Sequence, residues 1–300
     1  MKIAKPLLAL LVFAALFLAG CTATGDSTVI EPDRGNHHQS QTTKSSDSRG
    51  DPDEMSSAFE DSTEEIFKNI VWYSIPGGTL TRGSAKYSVN AFKIMTTEVT
   101  QELYKSVMGD IPKQSKTGAD LPVTNVSWYD AVLFCNAFSK YVGYDTVYSY
   151  ESIGEKNYLK GLEVDLAAAG FRLPTETEWE IAARGGTSST YYWGTAEASD
   201  YANYAQNNKG VIPVASLLPN EYSLYDMAGN VEEWINDWYD SYPSKSVENY
   251  AGPETGTYRC VRGGSWSDVV KNIAPDVRNK LDPMTATATL GFRVVYSMDI

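Results

Sequence analysis

The sequence predicts one irregular α+β domain of about 235 residues, a size that suits a single folding unit. Three observations lead there. Helix-start signals occur at only a few places in the chain. The apolar segments between them are short and separated by Gly, Pro, Asn and Asp. Tyr and Trp are frequent, at 20 and 7 residues, and cluster in the turn-rich second half. Few helices, many turns and short strands over such a length describe an α+β layout.

Asn69–Ile75 reads as a strand, and Gly77-Gly78 as the turn that ends it. Ala91–Met95 is a second strand candidate. Thr100 then caps a short helix that runs to Met108 and stops at Gly109. Ser127, with Asp130 three positions on, forms a variant of the capping box and opens a helix whose apolar face continues through Phe138. Thr175, with Glu178 at the box position, opens another that Gly185-Gly186 ends. From Tyr191 to Ile300 only turns, aromatics and short strands remain, and no internal repeat is present.

The N-terminal stretch has a different character. Lys2 and Lys5 precede an apolar run from Leu7 to Leu18, which closes on Leu18-Ala19-Gly20-Cys21. Basic, apolar and small-residue zones in that order describe a secretory signal peptide over 1–20. The apolar run is too short for a membrane-spanning helix, which needs about 20 residues. The Leu-Ala-Gly-Cys ending resembles the bacterial lipobox, which implies acylation of Cys21 and an outer-membrane lipoprotein at the cell surface. Residues 21–65 are rich in Ser, Thr, Asp, Gly and Gln and nearly free of large apolar groups, so they read as a flexible tether. Roughly 40 such residues reach about 35 Å.

Composition excludes several functions. The formal charge is −13, and loss of Lys2 and Lys5 makes the mature chain two charges more negative. Phosphate binding needs clustered Lys and Arg, so nucleic acid is not the expected partner. The histidines, His37 and His38, both lie in the tether. Residues 66–300 therefore offer no Ser–His or Cys–His nucleophile pair and no histidine-ligated metal. Cys135 and Cys260 allow one disulfide in an exported protein. The position of Cys135 in an apolar helix pattern favours a free, buried thiol.

The motifs, read in order, are Trp72–Gly78 (WYSIPGG), Thr97–Thr100 (TEVT), Pro122–Trp128 (PVTNVSW) and Phe171–Glu180 (FRLPTETEWE). Ala182–Gly186 (AARGG), Leu224–Trp234 (LYDMAGNVEEW), Arg262–Trp266 (RGGSW) and Gly291–Arg293 (GFR) follow. Together they resemble the formylglycine-generating-enzyme-like, or sulfatase-modifying-factor, family from about residue 69 to the end. The resemblance implies a C-type lectin-like fold with a small antiparallel sheet, two main helices and much irregular loop. Oxidase members of that family use two copper-binding cysteines after the Gly-Gly-Ser motif. Asp268 and Ile273 stand at those positions here, and neither can supply a thiolate. The resemblance thus implies no copper and no such activity. The family's disulfide from the Cys135 position lacks its partner, because Val294 occupies it. The resemblance also implies a structural calcium ion, held by the side chains of Asp226 and Glu233 and the carbonyls of Gly229 and Val231. Calcium favours such mixed oxygen shells. The alternative is a tight turn with Gly229 left-handed and Glu233 solvated.

Between Trp266 and Gly291 the framing motifs persist, while Ser267, Asp268, Val269, Ile273, Ala274, Val277, Leu281, Ala286, Thr287, Ala288 and Thr289 mix small and apolar types. This segment resembles the variable region of lectin-fold proteins diversified by retroelements, some of them treponemal lipoproteins. Adenine-directed mutation of an AAC codon yields each of these residue types but not Lys or Met, so Lys271, Lys280 and Met284 would be fixed by the template. Ordinary drift in a surface loop is the alternative. The expectation is a monomeric, non-enzymatic lipoprotein that binds a protein or other macromolecule through these residues, with Trp266 as anchor. A structural lipoprotein of a secretion or motility apparatus, and an enzyme of unknown chemistry, remain open.

Overall fold

The computed structural model describes residues 67–205 and 209–297. The expected signal segment, Cys21, the tether and both histidines lie outside the described residues.

Each expected helix forms where its cap stands. Thr100 Oγ1 accepts from Leu103 N at 3.2 Å and opens α1, Gln101–Met108. Gly109 closes it with φ +83°, a left-handed conformation that glycine adopts without a Cβ penalty. Ser127 and Asp130 exchange a reciprocal pair at 3.1 and 2.8 Å and open α2, Trp128–Tyr141. Thr175 and Glu178 do the same at 3.3 and 2.8 Å for α3, Glu176–Arg184. Two orphan amides at each start are thereby satisfied. α1, α2 and α3 have 8, 14 and 9 residues, the short helix and the two main ones that the caps predicted.

The strands are short: β1 Trp72–Ile75, β2 Gly78–Arg82, β3 Ala85–Val89, β4 Phe92–Met95, β5 Tyr148–Ser149, β6 Ser152–Ile153, β7 Leu159–Lys160 and β8 Glu163–Val164. They continue with β9 Phe171–Arg172, β10 Glu232–Trp238, β11 Val247–Glu248, β12 Arg259–Arg262, β13 Asn279–Leu281, β14 Leu290–Gly291 and β15 Val295–Ser297. One sheet runs β1-β4-β15-β9, so a C-terminal strand pairs beside an N-terminal one. A second runs β13-β12-β10-β14, and a third β11-β3-β2. The first sheet is antiparallel throughout, the small antiparallel sheet that was expected, while elsewhere β14 lies parallel to β10 and β11 parallel to β3. The first expected strand is shorter than Asn69–Ile75, and the β2–β3 hairpin was not anticipated.

Three indoles organise the core, and each finds a partner for its N–H. Trp128 donates to the Ile235 carbonyl at 2.9 Å, Trp234 to that of Val126 at 3.0 Å, and Trp179 to Glu233 Oε2 at 2.7 Å. A buried Trp keeps its large apolar contact without an unsatisfied donor only in this way. These bonds tie α2 and α3 to β10, whose N-terminal end follows the loop that begins at Asp226. Cys135 and Cys260 are both free and buried, as the helix pattern favoured. No helix among the described residues is long and apolar enough to cross a membrane.

Candidate functional site

The loop before β10 carries three of the expected calcium ligands, and Glu233 stands at the start of β10 itself. Asp226, Gly229 and Asn230 all take left-handed backbone, at φ +58°, +83° and +55°. A Cβ on Gly229 would lie 2.1 Å from the Asn203 carbonyl oxygen, so only glycine fits there. Asn230 N returns a bond to that same carbonyl at 2.8 Å. Val231 is buried, and its N–H reaches Glu98 Oε1 at 3.1 Å.

Glu233 is buried, not solvated. Its Oε1 accepts from Arg293 Nη2 at 2.7 Å and Nε at 2.9 Å; its Oε2 accepts from Trp179 Nε1 at 2.7 Å and Arg293 Nε at 2.8 Å. A carboxylate offers about four acceptor sites, so Glu233 is nearly saturated by protein donors. Asp226 Oδ2 accepts from Ala215 N at 2.8 Å. Burial pushes the Asp226 carboxyl up to about 6, with the Glu233 charge adding to the shift. Burial also pushes Glu98 well above its usual range, helped by Asp226 and Glu233. Three buried carboxylates thus surround one guanidinium. Of the three, Asp226 accepts the fewest bonds from protein donors, one from Ala215 N against two at Glu98 and four at Glu233.

The second site is the 266–289 segment. Its main chain is bonded to the scaffold at intervals. Trp266 N donates to the Asn230 carbonyl, Ala205 N to that of Asp268, Trp128 N to Pro283, Asn125 N to Thr287, and Glu232 N to Thr289, all at 2.8–3.0 Å. Trp266 is half-buried against Leu121, Val211 and Val231. Ser267, Val269, Ala286 and Thr287 are exposed, and Val269 keeps 42% of its surface in solvent. Asp268, Val277, Leu281, Ala288 and Thr289 are half-buried.

Two members of the expected surface must be corrected. Ile273 is 0% exposed and Ala274 is buried, so neither can face a ligand. Ile273 lies under Gly264, where a Cβ would approach its Cγ2 to 2.8 Å, and packs in the cluster around Trp179. The reason is local. Val270–Asn272 makes one 3-10 turn, which swings the next residue inward. Asp268 is also committed, accepting from Ser265 N at 3.0 Å and Ser265 Oγ at 2.7 Å.

Sequence reasoning overlooked two arginines of β12. Arg262 meets Glu176 at 2.6 Å and Glu180 at 2.8 Å. Arg259 stacks between Trp128 and Trp238, at 3.7 and 3.5 Å from the ring centres. The available signal was the strand itself: Arg-Cys-Val-Arg places two charges three residues apart on opposite faces of a segment with no solvent side.

A small mixed fold with three capped helices, a tight 226–233 loop and a C-terminal segment laid over β10 defines a sulfatase-modifying-factor-type scaffold with a C-type lectin-like core. The chain matches the sulfatase-modifying factor enzyme 1-like domain over residues 58–298 and belongs to that family. It is similar in structure to Treponema denticola variable protein 1, with 32% identity and a TM-score of 0.70, over 76% of this chain and 95% of that one. Chaperone protein LppX of Paenibacillus barcinonensis is 31% identical over 256 residues, which span 74% of this chain and 88% of LppX. The formylglycine-generating enzyme of Mus musculus is 30% identical over 191 residues, 57% of this chain but 43% of that enzyme.

Proposed function

We propose that this protein is a non-enzymatic, membrane-anchored binding scaffold that presents the exposed side chains of the 266–289 segment to a macromolecular ligand. The observation that carries the reading is the bonding of that segment. Its backbone is held by the framework through main-chain groups, which every residue type except proline supplies. Side chains at 269 and 286, and those at 267 and 287 apart from one hydroxyl contact each to Ser265 and Thr289, can then change without loosening the fold. A pre-fixed surface also avoids the ordering cost that a mobile loop adds on binding.

The absence of oxidase chemistry follows from the same residues. Asp268 is tied to Ser265 and Ile273 is buried. Burial holds the thiols of Cys135 and Cys260 far above the range in which a thiolate forms. The anchor is acylated Cys21. The calcium ion is structural and is held by Asp226 and the carbonyls of Gly229 and Val231, with Glu233 shared between it and Arg293.

Sequencing the terminal coding region across many isolates tests the central claim. Substitutions confined to the exposed codons, with a partial repeat beside a reverse-transcriptase gene, are expected. Variation spread evenly over residues 67–297 would refute it. Cys21→Ser should move the protein out of the membrane fraction, and retention there would refute the anchor. Copper-dependent oxidation of a cysteine peptide by the purified protein would refute the non-enzymatic reading.

A further inference from the structure

Four arginines of the described residues are buried: Arg172, Arg259, Arg262 and Arg293. Three of them meet a carboxylate, Arg172 with Glu178 at 2.7 Å, Arg262 with Glu176 at 2.6 Å and Arg293 with Glu233 at 2.7 Å. Arg259 is 4% exposed and forms no ion pair among the described residues. Its Nη1 donates to the Asn236 carbonyl at 2.5 Å, and its Nε is buried without an acceptor. Burial pulls its pKa down, to about 10, which still leaves it cationic at neutral pH. The Asp237 charge favours its cationic form, but no carboxylate contacts the guanidinium directly, and a buried charge in that state is stabilised by an arriving counter-charge. Two indole faces offset part of the cost of burial.

Arg259 also lines a cleft of about 880 Å³. The walls include Tyr129, Tyr158, Trp238 and the 251–257 loop, with Asp282 and Met284 from the C-terminal segment. The loop is built to lie close. Gly252 has φ +83°, and a Cβ there would fall 3.1 Å from the Trp238 main chain; a Cβ on Gly256 would fall 2.8 Å from Trp238 Cβ. The Tyr129 ring is buried, packed at 5.4 Å against the Tyr158 ring, which is 48% exposed at the cleft.

We propose that this cleft binds a single carboxylate group carrying an aromatic or apolar body, with Arg259 as its counter-ion. The stacking decides the geometry. Trp128 and Trp238 cover both faces of the guanidinium and Nε is buried, so a ligand can approach only in its plane, at the Nη end. A planar carboxylate matches that end. The Tyr129 and Tyr158 rings and Trp238 receive the apolar body. Glu163, Glu254 and Asp282 also line the cleft with exposed side chains at its rim; their charges weigh against every anion, and more against a multiply charged one such as phosphate than against a single carboxylate. A free organic acid and the C-terminus of a peptide present the same group. This site is separate from the exposed positions of the proposed variable surface, although one wall is shared with that segment.

Calorimetric titration of the full-length protein with N-benzoylglycine, its methyl ester, benzoate, acetate and inorganic phosphate tests the proposal. The acid should bind with the ester weaker by about tenfold or more, a difference of roughly 1.4 kcal/mol. Tighter binding of N-benzoylglycine than of benzoate would indicate a chain terminus, and equal binding a small acid; both support the carboxylate site. Arg259→Gln should abolish binding. Because that variant can also unfold the chain, the rim variant Tyr158→Ala is the second arm: it should weaken N-benzoylglycine but leave acetate unchanged. Simultaneous substitution of Ser267, Val269, Ala286 and Thr287 should leave acid binding intact, which separates this site from the macromolecular one. Equal affinity for acid and ester, phosphate binding as tight as the acid, or no acid binding at millimolar concentration would overturn it.

Discussion

Arg293 and Glu233 form a fully buried pair across 60 positions of sequence, joined by Nε and Nη2 at 2.7–2.9 Å. The same Glu233 receives Trp179 from α3, and the same Arg293 donates to the Tyr225 carbonyl at 2.9 Å. One ion pair therefore holds the 226–233 loop, the third helix and the C-terminal strand region in register. Removing one partner of a buried pair leaves an uncompensated charge, at about 3–5 kcal/mol. Arg293→Met should lower the unfolding free energy measured by urea titration by that amount, more so because Glu98 and Asp226 then lose their nearby cation. Adding Glu233→Gln should recover part of the loss. A single-variant cost under about 1 kcal/mol would show that the pair is not what holds these elements.

Much of this was legible in the chain. The three capping residues, Thr100, Ser127 and Thr175, act within four positions of themselves, so a linear reading finds them. Ser127–Asp130 and Thr175–Glu178 fold as the spacing required. The family motifs fixed the scaffold in the same way, because each is a local string. What the sequence hid depends on long-range partners. Arg259 and Arg262 occupy one strand, yet one meets two carboxylates and the other two indoles, and nothing local distinguishes them. Ile273 was expected on the surface because it lies among the mixed small and apolar residues between two framing motifs. A single 3-10 turn reverses that, and turn type within an irregular segment is weakly encoded. The β2–β3 hairpin escaped notice because Arg82-Gly83-Ser84 lacks the Asn-Gly or Asp-Gly pair that marks such turns most clearly.

A pH dependence follows from Asp237. Burial raises its carboxyl well above the ordinary 3.8, and the neighbouring Glu176 charge adds to this, while the Glu176 N–H and Arg259 oppose it. A carboxyl with a raised folded value holds its proton more tightly in the native chain than in the unfolded one. Its contribution is therefore most favourable below the ordinary value and is lost as pH rises through the raised one. Asp237→Asn keeps an acceptor for the Glu176 N–H, 3.0 Å away, and removes the charge. The melting temperature of this variant should fall less between pH 4 and pH 8 than that of the natural protein. Parallel curves would exclude Asp237 as the source.

Calcium should stabilise the protein, and the effect should depend on Asp226. Ligand that binds only the native state adds RT ln(1 + [L]/Kd), about 2.7 kcal/mol at a hundredfold excess over Kd. The melting temperature is expected to rise with calcium and to fall back with chelator. Asp226→Asn should abolish the calcium response while retaining an acceptor for Ala215 N. No response to millimolar calcium in the natural protein would remove the ion from the account.

The C-terminal segment should separate into two classes of residue under substitution. Ser267, Val269, Ala286 and Thr287 are exposed, and surface changes usually stay within about ±0.5 kcal/mol each. Replacing all four should leave the melting temperature nearly unchanged, because the bonds that seat the segment run through main-chain groups at Trp266, Asp268, Pro283, Thr287 and Thr289. Ile273→Ala should behave differently. It empties a closely packed site under Gly264 beside Trp179, and such a truncation costs about 2–5 kcal/mol. Thermal unfolding of the two variants side by side measures the difference directly. If the fourfold variant is destabilised as much as Ile273→Ala, the exposed positions contribute to the fold, and a surface free to vary its contacts does not exist there.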